Sequence, residues 1–245
     1  MRRLQLTLML IASSLGMAHA AESNVTIVSG LDFGFKTLRL DTGRGGDVFR
    51  PSFVTINPSI VLGYRSFYAG LSYDKSVSAD PDIGATVLAG TPTATVTDYS
   101  RTDSTFTLGY RLNQSFNLFA GYTEGANKFN TTVFGGGLIA IDYTEKGPFA
   151  GVAYTKTFGD KGSLGMSIGY AKLDGDLKVD IPPNVEFFRA KGDTTGLSYG
   201  LTWSGPLTGS LSYRVGVKAI RYEMKDPIKL TERYTNFFIG IMNYF

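Results

Sequence analysis

The chain has 245 residues and a formal net charge of +3, with 24 Lys and Arg against 21 Asp and Glu and no cysteine. So even a balance gives no electrostatic case for nucleic acid, and no Lys/Arg cluster supplies one. Without cysteine there is no disulfide framework, so the fold must be stabilised by other means even in an oxidising compartment.

Residues 1–20 read as a secretory signal peptide. Arg2 and Arg3 form a positive start, Leu4 to Leu15 is mostly apolar, and Ala18 and Ala20 are the small residues expected before a cleavage point. The apolar run is too short to cross a bilayer as a helix. Cleavage after Ala20 is expected, which leaves residues 21–245 as one barrel domain. With both arginines gone, the formal charge falls from +3 to +1. The chain carries 30 Gly, 14 Tyr and 17 Phe at a mean hydropathy of zero. No later stretch approaches the roughly 18 apolar residues of a helical span.

From Val25 onward, apolar residues recur at every second position, the period of a strand with two unlike faces. In 195–204, Thr195, Leu197, Tyr199, Leu201 and Trp203 oppose Gly196, Ser198, Gly200, Thr202 and Ser204. Residues 164–171 repeat this, with Leu164, Met166, Ile168 and Tyr170 against Gly165, Ser167, Gly169 and Ala171. In a soluble sandwich the second face would carry long charged side chains. Here it is Gly, Ala, Ser and Thr, which suits the crowded inside of a narrow barrel whose bulky face meets lipid.

The pattern predicts an all-β fold of ten antiparallel strands, at about 25–36, 52–65, 67–77, 98–111, 116–126, 147–158, 163–173, 193–204, 210–223 and 232–245. Short turns at 65–66, 112–115, 159–162 and 205–209 alternate with long connections. Three long connections read as hairpins continuing the strands, with tips at Val87–Thr93, Gly135–Gly137 and Pro182–Asn184. The alternative counts 128–134 and 138–145 as two further membrane strands, but they are too short to cross. The first outward charges after the short turns are Lys75, Glu124, Lys172 and Arg221. They lie roughly nine to twelve residues beyond the turns, the length of a tilted span. Lys156 breaks this rule, though near enough to a strand end to snorkel. Aromatics flank the short turns: Tyr64 and Phe67, Tyr110 and Phe116, Phe158, and Trp203.

The chain ends Phe238-Ile-Gly-Ile-Met-Asn-Tyr-Phe245, which resembles the C-terminal strand that outer-membrane proteins present to their assembly machinery; Asn243 departs from the usual apolar residue. Together these features resemble the Gram-negative outer-membrane β-barrel proteins as a class. The resemblance implies a closed transmembrane barrel in the outer membrane, both termini periplasmic. Its implied partners are outer-membrane lipid and lipopolysaccharide, and the assembly machinery through the strand ending at Phe245.

The single histidine, His19, lies in the signal peptide. Enzymatic barrels such as the omptin proteases, the lipid A deacylases and the outer-membrane phospholipases use histidine, so a reaction here would need another base. Two carboxylate pairs, Asp80 with Asp82 and Asp174 with Asp176, read as solvated turn acids. No metal cluster, phosphate loop or cofactor motif is visible, so a non-enzymatic protein without cofactor is expected. The alternation points Asp32, Lys36, Arg65, Asp74, Arg101, Asp103, Arg111, Arg214 and Lys218 into the lumen. Six bases against three acids favour anions if water fills the bore; paired as a plug, the same groups would seal it. The first expectation is a narrow channel or small-solute binding barrel, porin-like. The second is a surface adhesin acting through its loops, where Tyr143, Phe187, Phe188 and Tyr234 are candidate contacts. The third is a histidine-free enzyme.

Overall fold

The structure, a computed structural model, describes residues 25–41, 48–49, 51–79, 86–88, 91–133, 138–181, 185–226 and 229–245. The strands are β1 Val25–Asp41, β2 Val48–Phe49, β3 Ser52–Tyr64, β4 Phe67–Ala79, β5 Thr86–Leu88, β6 Thr91–Arg111, β7 Phe116–Val133, β8 Leu138–Thr157, β9 Ser163–Ile181, β10 Val185–Thr208, β11 Leu211–Met224 and β12 Leu230–Tyr244. Ten pair antiparallel with their chain neighbours, and β12 closes on β1 from Val28 opposite Tyr244 to Asp41 opposite Thr231. The short β2 and β5 stand outside this ring. β2 pairs antiparallel with the end of β1, and β5 folds onto the start of β6. Closure leaves the ring of ten strands without a free edge, which a strand-built span in lipid requires.

The strands form where alternation predicts them, but their long-connection ends run further. The segments weighed as two extra strands are the upper parts of β7 and β8, paired with Thr131 opposite Ile139. Likewise β9 and β10 continue up to Ile181 opposite Val185. The ring therefore has ten strands. Two prolines interrupt it. Pairing between β3 and β4 skips Pro58, and pairing between β8 and β9 skips Pro148, because proline has no N–H to donate. The predicted tips at Gly135–Gly137 and Pro182–Asn184, the acids Asp80 and Asp82, and the expected signal segment 1–20 lie outside the described residues.

The short turns are built from local chemistry. Arg65 takes φ 55 in the two-residue turn between β3 and β4. In the β6–β7 turn, the Asn113 side-chain oxygen accepts from the backbone N–H of Ser115 at 2.8 Å and of Phe116 at 2.9 Å. A 3-10 turn at Gly159–Lys161 joins β8 to β9, and Gly209 at φ 53 begins the turn after β10. That strand runs to Thr208, so its turn is shorter than the 205–209 expected. The start of β1 meets Phe245 at this rim, where Ile27 N–H donates to Phe245 O at 3.2 Å.

Bulky residues face outward along the whole ring: Phe33, Phe35, Leu62, Leu108, Leu118, Met166, Leu201, Phe237 and Ile239 are all exposed. Aromatics collect at the short-turn rim, where Phe67 lies 4.9 Å from Tyr110, Phe116 5.1 Å from Tyr154, and Phe158 5.6 Å from Trp203. The Lys156 ammonium folds down over the Phe158 ring at 5.4 Å, out of the apolar belt.

The interior is filled, not hollow. Near the short-turn rim Val28, Val61, Tyr68, Phe119, Ala153 and Met242 pack together. A larger cluster around Leu38, Phe53, Tyr99, Phe129, Leu173, Tyr222 and Tyr234 lies further along the bore. Many inward glycines are seats for rings from the neighbouring strand. A Cβ on Gly109 would overlap Tyr68, one on Gly151 would overlap Phe119, and one on Gly196 would overlap Tyr222. Small residues on the inner face therefore do not translate into open bore.

Candidate functional site

The lumen holds the charged residues, in two layers. In the layer nearer the short turns, Arg214 on β11 forks onto Asp32 on β1, Nε to Oδ1 at 2.6 Å and Nη2 to Oδ2 at 2.7 Å. Gly240 and Gly30 face this pair, and a Cβ at either would collide with Asp32 or with Ser59 beside Arg214. A bidentate, dry ion pair is the arrangement in which a buried arginine is best satisfied.

The second layer spans the barrel. Lys36 Nζ on β1 reaches Asp74 Oδ1 on β4 at 3.0 Å and Asp103 Oδ2 on β6 at 2.9 Å. Arg101, also on β6, donates from Nε to both Asp103 oxygens at 2.9 Å and from Nη2 to Glu145 Oε1 on β8 at 3.2 Å. Its Nη1 donates to Asn127 Oδ1 at 3.0 Å and pairs with Glu232 on β12. From β6, β12 is four strands away around the ring, so this side chain crosses the bore. Asn127 Nδ2 also donates to Glu232 Oε1 at 3.2 Å, and Tyr99 OH donates to Asn127 Oδ1 at 2.8 Å. The Tyr234 ring lies 4.6 Å from the Arg101 guanidinium, a cation–π contact that closes the network on the β12 side. Arg101, Glu145 and Glu232 are each at most 2% exposed. Beside the network a cavity of about 40 Å3, lined in part by Lys36, Asp74, Asp103, Lys218, Tyr222 and Tyr234, has room for a few water molecules at most.

Eight of the nine sequence-derived lumen candidates face inward. Asp32 and Arg214 form the first layer, and Lys36, Asp74, Arg101 and Asp103 the second. Lys218 lines the cavity with no carboxylate partner among the described residues. Arg111 sits half-buried by the short-turn rim near Tyr68, its Nε and Nη2 buried without an acceptor. Arg65 is a correction. It is exposed on its turn, with its guanidinium 5.2 Å from the outward Tyr64 ring. Alternation assigns faces to strand residues, and at a turn with positive φ it stops applying.

Glu145 and Glu232 were missed because both were read at or beyond strand ends. Extending the inward parity of Phe149 back through Gly147, and of Asn236 back through Tyr234, reaches each of them. With Arg65 removed and these two added, five bases face five acids among the described residues. The basic excess that favoured anions disappears. Tyr143 and Tyr234 are also corrected from loop contacts to buried lumen residues, at 1% and 7% exposure, whereas Phe187 and Phe188 are exposed at the far rim. Asp174 and Asp176 lie on β9 and not in a turn. Asp176 pairs with Arg189 at 2.7 Å, and that hydrogen bond holds its carboxyl below the usual range. Among the described residues no cluster of acids is placed to hold a metal ion.

No protein-family model matches the sequence, and no curated protein matches it. Among solved structures, the outer membrane protease OmpT from Escherichia coli superposes with a TM-score of 0.65 at 13% identity, covering 95% of this chain and 100% of OmpT. The translocator domain of autotransporter NalP from Neisseria meningitidis gives 0.50 at 10% identity, covering 91% of this chain and 89% of that domain. These likenesses concern the fold. The chain is a closed, ten-stranded antiparallel barrel of the bacterial outer-membrane type.

Proposed function

We propose that this protein is a surface-presenting outer-membrane barrel with a sealed lumen, acting through the part of its wall that rises above the membrane. The carrying observation is Arg101, itself buried, which bridges the bore from the part-buried Asp103 to the buried Glu232. Ions would have to break several buried ion pairs to pass, at a cost of several kcal/mol. In this reading the signal peptide is removed after Ala20. The termini and short turns then face the periplasm, and the strand ending at Phe245 serves assembly. The upper halves of β6 to β10 stand outside, topped by Phe187 and Phe188.

The reading includes no reaction. After the expected signal segment there is no histidine or cysteine, and of the acids that cluster around Arg101, Glu145 and Glu232 are buried. The narrow-channel reading ranks second. It is favoured by Arg111 and Lys218, two lumen cations without carboxylate partners among the described residues, one by the short-turn rim and one at the cavity.

Single-channel recording of the refolded chain, residues 21–245, separates the two. A silent bilayer with folding confirmed is the expected result. Steady openings that change on Arg111→Gln or Lys218→Gln would replace the sealed barrel with the channel.

A further inference from the structure

Three arginines sit side by side on the outside of the barrel. On adjacent strands Arg39 of β1 is directly opposite Arg233 of β12, and Arg233 is directly opposite Arg221 of β11. All three alternate with inward neighbours (Leu38, Glu232 and Tyr234, Ile220 and Tyr222), so their side chains lie on the outer face. Directly opposed residues have Cα atoms about 4.5–5.5 Å apart, and like charges so placed repel.

Local carboxylates offset only part of this. The next row toward the long connections contains Asp41, Thr231 and Glu223, and Glu223 pairs with Arg221. Arg233, between two arginines, is exposed and has no carboxylate partner among the described residues, and Arg39 Nε is buried without an acceptor. Another pair of like charges on the outer face is compensated singly. Lys178 opposes Arg189, but the first pairs with Asp180 and the second with Asp176.

The position of the row is specific. Toward the short turns, the same three strands carry Thr37, Thr235 and Ala219, then Phe35, Phe237 and Val217, then Phe33, Ile239 and Val215. The aromatics and isoleucine of these rows are exposed. The arginines thus begin where the apolar belt ends, at the level of lipid headgroups in the leaflet on the long-connection side. Guanidinium groups bind phosphate through paired, charge-assisted hydrogen bonds.

We propose that Arg39, Arg233 and Arg221 form a site for the headgroup phosphates of a lipopolysaccharide-type lipid, whose acyl chains lie against Phe35, Phe237 and Ile239. The proposal rests on the orientation given above, with the long connections outside. The phosphate supplies the counter-charge that the row lacks, and the aromatics below it supply apolar contact. Neither half alone would select this lipid over a free anion or an uncharged lipid.

The test is native mass spectrometry of the refolded chain, residues 21–245, in detergent. It is titrated with bisphosphorylated lipid A, with the same lipid stripped of phosphate, and with inorganic phosphate as competitor. Phosphorylated lipid is expected to bind more tightly than the stripped form. Arg233→Gln should weaken it about tenfold, the scale of one charge-assisted hydrogen bond. Lys128→Gln, a basic change on the outer face away from the row, should leave binding unchanged. Equal binding of both lipids overturns the site, as does unchanged binding by an Arg39→Gln/Arg221→Gln/Arg233→Gln variant that still folds. Displacement of lipid by an equal concentration of inorganic phosphate would reduce it to a general anion site and overturn the lipid assignment. Labelling of a Phe187→Cys variant on intact cells with an impermeant maleimide reads the orientation separately. No labelling overturns the placement on which the proposal rests, whereas labelled cells with unchanged lipid binding overturn the site alone.

Discussion

Arg101 has three carboxylates around one guanidinium, so its removal would leave Asp103, Glu145 and Glu232 with Lys36 as the nearest cation, paired to Asp103. Arg101→Met is expected to lower folding stability by about 3–5 kcal/mol, the usual cost of orphaning a buried ion-pair partner. Urea unfolding in detergent would measure it. A loss under about 1 kcal/mol would mean that water already screens the network. Arg65 makes the opposite case. Its left-handed φ of 55 is strained for a residue with a Cβ, and its side chain lies outside the lumen. Arg65→Gly should therefore raise stability by about 1 kcal/mol.

At the level of elements, β7 to β10 share an outer face whose charges pair across strands. Lys128 opposes Asp142, and Asp142 opposes Lys178; two rows nearer the short turns, Glu124 opposes Lys146, and Lys146 opposes Asp174. Such pairs support strands beyond the lipid belt, where no apolar solvent holds them. Asp176 is the most connected of these acids, bound to Arg189 and Lys191. Because its carboxyl is held below the usual value, its contribution is present above the ordinary carboxylate pKa. It is lost as pH falls through the lowered one. Asp176→Asn should cost under about 1 kcal/mol near neutral pH, as expected for an exposed pair. It should also make the upper β9–β10 hairpin less sensitive to acid. Hydrogen exchange of residues 174–180 across pH 2 to 6 would detect this, and identical profiles for the two proteins would refute it. The longer strands explain why the sequence-derived ends fell short at this side. Above the membrane the outer face turns polar, so the contrast between faces that marks a strand fades while the pairing continues.

For the whole molecule, closure of β12 on β1 makes unfolding a ring-opening event. The folded barrel should therefore resist dodecyl sulfate at room temperature and migrate differently from boiled chain on a gel. A single band under both conditions would count against a closed ring. The filled interior has a further consequence. Stability comes from side chains crossing the bore as well as from the backbone ladder, so lumen substitutions should shift the temperature at which the folded band disappears. Arg101→Met should lower that temperature more than Lys128→Gln, which touches no lumen group.

The class of fold was legible in the chain because lipid imposes it. A strand that meets hydrocarbon on one side and a packed interior on the other must alternate, and an even ring with short turns at one end must alternate its connection lengths. Residues 195–204 and 164–171 show the first constraint and the four short turns the second. The lumen was legible as a set of inward residues but not as a set of partners. Asp32 and Arg214 are 182 residues apart, and Arg101 and Glu232 are 131 apart. Which inward groups meet depends on register, tilt and the diameter of the closed ring, none of which period-two alternation records. Tertiary structure alone therefore decided three things: that three of the five lumen bases, Lys36, Arg101 and Arg214, hold all five acids, that rings from neighbouring strands occupy the space left by inward glycines, and that arginines of three different strands share one row on the outside.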